Sequence, residues 1–66
     1  MAPKYPTIEV ELSGRDGNAV TIIARVGKAL RRGGVSAKEI DAFRREARSG
    51  DYGHVLDTAE AWVDVS

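Results

Sequence analysis

Residues 19–32, AVTIIARVGKALRR, stand between Gly14 and Gly17 on one side and Gly33-Gly34 on the other. Ala19, Ile22, Ile23, Val26, Ala29 and Leu30 recur at the spacing of one helical face. Thr21, Arg25, Lys28 and Arg32 recur on the opposite face. The pattern predicts an amphipathic helix from Ala19 to about Arg32, whose apolar face the rest of the chain must cover. Asn18 is the expected N-cap, with Asp16 as the alternative, because either side-chain oxygen can take an orphan backbone N–H. Gly33 or Gly34 supplies the left-handed stop, and the cations just before it suit the helix dipole. Gly27 sits inside the helix at a cost of up to about 1 kcal/mol against alanine, which points to close approach of another element.

Two further helices are announced by their caps. Ser36-Ala37-Lys38-Glu39 fits a capping box, with Val35 and Ile40 as its hydrophobic staple. Behind it Ile40, Phe43 and Ala47 form a narrow apolar stripe that ends at Ser49-Gly50. Asp51 can cap a third helix, from about Tyr52 to Ala61, with Val55, Leu56 and Ala59 inward and Trp62 at its end. Thr7 to Leu12 alternates, with Ile8, Val10 and Leu12 on one side and Thr7, Glu9 and Glu11 on the other, which predicts a half-buried strand. Trp62-Val63-Asp64-Val65 alternates again and predicts a second. Residues 1–6 hold two prolines and are expected as an extended arm. The expected fold is α+β: β-α-α-α-β, three small helices packed on one face of a two-stranded sheet formed by the terminal strands. The pattern leaves the relative direction of the strands open.

One domain is all that 66 residues allow. With no cysteine there is no disulfide and no thiolate, and a single histidine cannot furnish a zinc site of the usual kind. The core must carry the fold, so no cofactor is expected. No apolar run is long enough to span a membrane, and the first residues lack the apolar stretch of a signal peptide; a cytoplasmic setting is the expectation. Net charge is zero but unevenly spread. Residues 15–48 carry all the cations but Lys4, and both ends carry the excess of acids, so the ends are expected to neutralise the middle in space.

Two groups of residues are candidate sites. The first is a basic surface, Arg25, Lys28 and Arg32 on the first helix with Arg44 and Arg45 on the second, which could meet an acidic protein or a phosphate backbone. The second is a polar end cluster: Asp16 and Asn18 from one turn, Asp51, Tyr52 and His54 from the other. If the strands run parallel, the two turns lie at the same end of the molecule, where they can form a composite polar site. A histidine beside carboxylates is raw material for acid–base chemistry, yet no nucleophile or metal set accompanies it. Gly14-Arg15-Asp16-Gly17 matches neither the phosphate-loop nor the dinucleotide pattern.

Asp16-Gly17-Asn18-Ala19, then Val26 and Ala29-Leu30-Arg31-Arg32, then Ser49-Gly50-Asp51-Tyr52 with His54, make the chain resemble a family of small uncharacterised bacterial proteins. That family is loosely associated with phages and mobile elements. The resemblance spans nearly the whole chain and implies no activity and no residue role. It departs at Gly53, where a polar residue is expected, and at Arg44, Arg45 and Arg48, where fewer cations are expected. The expected function is a non-enzymatic protein-interaction module, working with an unknown partner or by self-association. The alternative is a nucleic-acid-binding accessory protein.

Overall fold

The computed structural model describes residues 2–12 and 18–66. The order is β1 (Tyr5–Val10), α1 (Ala19–Arg32), α2 (Ala37–Arg48), α3 (Tyr52–Trp62) and β2 (Val63–Val65). The two strands form one sheet and run parallel. α1 packs on β1, α3 packs on β2, and α2 packs on both other helices. A parallel pair needs a crossover, and the three helices are that crossover.

Each helix begins and ends where local chemistry requires. Asn18, Ser36 and Asp51 accept from Val20, Glu39 and His54 amides at 2.9, 3.3 and 2.9 Å. α1 ends in a Schellman arrangement: Val35 N–H reaches the Leu30 carbonyl and Gly34 N–H reaches that of Arg31. Gly34 takes the left-handed conformation, φ 86°, so it is the stop. The core gathers Ile22, Ile23, Val26 and Leu30 of α1, Ile40, Phe43 and Ala47 of α2, Val55 and Ala59 of α3, and Val10 and Val63 of the sheet. Phe43, Leu30 and Val26 are fully buried.

Three expectations need correction. The first strand runs Tyr5–Val10, not Thr7 to Leu12, so residues 5 and 6 belong to the sheet rather than to an arm. Tyr5 pairs with Val63 and Glu9 with Asp64, so β1 carries extra residues around Pro6 that bulge out of register. Proline, lacking an N–H, is tolerated at such a bulge. Second, Ser36 caps α2, but the Glu39 side chain does not complete the box: it binds Lys4 and Tyr5. Third, the inner face of α3 also includes Thr58, which is buried, its hydroxyl donating to the His54 carbonyl at 2.7 Å.

Lys4, Tyr5 and Glu39 meet at Trp62. Lys4 Nζ lies 4.4 Å from the indole centroid, and the Tyr5 and Phe43 rings stand 6.0 and 5.7 Å from it. The indole is thus rim packing that joins β1, α2 and α3. The Lys4 ammonium, and after it the Tyr5 hydroxyl, hold the Glu39 carboxyl below the ordinary carboxylate value. The bond to Glu39 holds Lys4 above the ordinary lysine value. Glu39 therefore contributes stability above its unfolded value and loses it as pH falls through the lower folded one. Lys4 contributes below its unfolded value and loses it as pH rises through the higher folded one. The group is solvent-exposed, so the increment is small. Urea denaturation across the acid range is expected to show an extra loss of stability in the wild type, below the ordinary carboxylate value, that Glu39→Gln lacks. Superimposable acid limbs would count against the pair.

Candidate interaction surface

The solvent face of α1 carries Arg25, Lys28 and Arg32 one turn apart, as its spacing requires. On one side this stripe and β1 enclose a groove. On the other side α1 and α2 enclose a second groove, lined by buried Gly27 and Ile40, half-buried Val35, exposed Ala24 and the cations Lys28, Arg31, Arg32 and Arg44. Lys28 and Arg32 line both.

Gly27 explains how Arg44 reaches this surface. A Cβ at Gly27 would lie 3.4 Å from Arg44 Nη2 and 3.8 Å from Ile40 Cγ2. The guanidinium therefore lies across the bare backbone of α1, which is the close approach that a mid-helix glycine suggested. None of Lys28, Arg31, Arg32 or Arg44 has an ion-pair partner among the described residues. Arg45 is different: it lines neither groove and pairs with Asp41 one turn back at 3.2 Å. Sequence spacing alone could not separate Arg44 from Arg45, because the separation depends on how α2 crosses α1.

Gly27→Ala is expected to raise stability by about 0.5–1 kcal/mol, since the helix gains propensity and the contact is an ordinary one with a flexible side-chain end. Chemical denaturation measures it; a loss of stability would mean that the backbone approach is tighter than the distances indicate.

The charges are sorted rather than interleaved. Thr7, Glu9 and Glu11 are exposed, and Glu9 lies beside exposed Asp64 in the sheet register. The strand acids make no ion pair with Lys28, Arg31, Arg32 or Arg44, so the expected neutralisation of the middle by the ends does not describe these groups. The molecule has an acidic sheet face and a basic α1 side.

The polar end cluster is assembled only in part. Lys4 N–H binds the Ala61 carbonyl, which puts the end of α3 at the start of β1. The start of α3 therefore lies toward the same end as Asn18. Asp16 lies outside the described residues. Asn18 and Asp51 each spend a side-chain oxygen on their own helix cap, and Asn18 makes no hydrogen bond to Asp51 or His54. Tyr52 is exposed at the first turn of α3. His54 turns back to close α2: its Nε2 lies 2.9 Å from the Glu46 carbonyl, 3.0 Å from Ser49 Oγ and 3.2 Å from Glu46 Oε2. A carbonyl can only accept, so Nε2 carries the proton. A serine–histidine–carboxylate relay instead needs Nε2 open toward the serine and the carboxylate on the other ring nitrogen. Here one nitrogen faces both, and the Ser49 hydroxyl donates to the Glu46 carbonyl at 2.7 Å. The arrangement is a helix cap.

No three described His, Asp or Glu side chains are grouped so as to hold a metal ion, and no described helix is long and apolar enough to cross a membrane. Comparison with protein-family models, curated proteins and solved structures finds no match.

Proposed function

We propose that this chain is a non-enzymatic protein-interaction module that works through the basic side of α1. The observation that carries the reading is the convergence of four cations from two helices, Lys28, Arg31, Arg32 and Arg44, around a groove whose buried lining is Gly27 and Ile40. Apolar floor and charged rim together suit a partner that is itself acidic and amphipathic, and cations with no ion-pair partner among the described residues have none there to lose on meeting it. A cytoplasmic setting, and kinship with the small bacterial proteins that the sequence resembles, belong to the same proposal.

The test is a photo-crosslinking residue at position 24, exposed beside the groove, with a control at position 57 on the exposed side of α3. A discrete protein adduct is expected from position 24 and its loss when Lys28→Glu is combined with Arg44→Glu. Equal adducts from both positions, or none, overturn the reading.

The same four cations favour a nucleic-acid role as the second reading. Each phosphate contact would contribute a slope of about −0.9 in log K against log salt, so four contacts give about −3 to −4. A gel shift that stays negative at low salt removes that reading.

A further inference from the structure

The edge of β1 that faces away from β2 adjoins α1, and the groove between them is lined by Thr7, Glu9, Glu11, Lys28 and Arg32 among others. Ser66 N–H donates to the Val10 carbonyl, and Leu12 N–H donates to Ser66. Strand alternation therefore turns the main-chain groups of Glu9 and Glu11 away from β2. No described residue takes them up. Amides and carbonyls without a partner among the described residues, set beside a helix, are a template for a further strand.

The charges decide which strand. Its one face would meet the acids of the open sheet side, Glu9 and Glu11, and its other face the Lys28 and Arg32 side of α1. A second copy, set edge to edge about a twofold axis, fails on both faces. It brings glutamates beside glutamates and one basic stripe beside another, and like charges directly opposite are destabilising. We infer that the groove takes an extended segment of a partner protein in which acidic residues alternate with lysine or arginine, added to β1 as a third strand, its acids toward α1 and its cations toward the acidic sheet face. This inference rests on the interaction reading above and names the chemistry of the partner.

Fluorescence anisotropy at low salt tests it, with the full chain and a labelled peptide of about eight residues, a common strand length, that alternates glutamate and lysine. One comparator has the same composition sorted into an acidic and a basic block. Two others are the alternating peptide N-methylated on either set of alternate amides. The alternating peptide is expected to bind about tenfold more tightly than the block peptide, to lose binding in at least one methylated form, and to lose it on Lys28→Glu with Arg32→Glu. No binding, equal binding of the alternating and block peptides, or undiminished binding of both methylated forms overturns the inference; so does a single-stranded oligonucleotide that binds where no peptide does. The methylated peptides keep the test valid should the double variant misfold. The position 24 crosslink reports on the α1–α2 groove and does not use the β1 edge. An adduct there with no peptide binding overturns strand addition alone, whereas loss of both overturns the interaction reading too.

Discussion

Phe43→Ala is expected to abolish cooperative folding at room temperature. Phe43 is fully buried on α2 and stands edge-on to Trp62 at 5.7 Å. Removing a buried phenylalanine ring costs about 3–5 kcal/mol in lost transfer energy and cavity formation. A single small core of this size supplies roughly 3–5 kcal/mol in total, so the substitution consumes the whole margin. Thermal melts by circular dichroism measure it, with Phe43→Leu as the control. That change conserves most of the volume and should cost about 1 kcal/mol or slightly more, a fall of roughly 4–8 °C in Tm. A Phe43→Ala protein that still melts cooperatively near the wild-type temperature would show that the core is centred elsewhere.

Trp62→Ala should have the second-largest effect, about 2–3 kcal/mol for a half-buried indole. Its character should differ from that of Phe43→Ala. Trp62 is the surface on which Lys4 and Tyr5 rest, so its loss releases the start of β1 before the rest of the domain. Hydrogen exchange reads this directly. The Lys4 amide, bonded to the Ala61 carbonyl, is expected to lose protection, while the Leu12 amide, bonded to Ser66, keeps more of its own. Trp62→Phe should fall between. An unchanged melting temperature, or uniform loss of protection at both amides, would contradict the local role assigned to the indole.

These two residues also mark where sequence patterns lose their grip. The helices were legible because their signals are local: Asn18, Ser36 and Asp51 cap within three residues, and Gly34 stops α1 within the last turn. The start of β1 was not, because Tyr5 is held by Trp62 and Glu39, both remote in sequence. Glu39 shows the competition openly: a local capping partner loses to a charged one brought near by the fold. The direction of β2 could not be read from alternation, which is the same in parallel and antiparallel strands; it depends on how the three intervening helices pack. Within the site, Arg25, Lys28 and Arg32 followed from helical spacing. The convergence of Arg44 and the withdrawal of Arg45 followed from the crossing of α1 and α2. The setting of His54 was not legible for a related reason: its carboxylate neighbours in sequence are not those its ring meets, and the ring meets the end of α2 instead.

The parallel pairing of β1 and β2 has a mechanical consequence. Tension that draws the two strands past one another along their length loads the bonds Lys4–Ala61, Val10–Ser66 and Leu12–Ser66 together, in shear. An antiparallel hairpin pulled at its open end parts one rung at a time. Tension along the parallel pair therefore meets the whole ladder at once rather than one rung at a time.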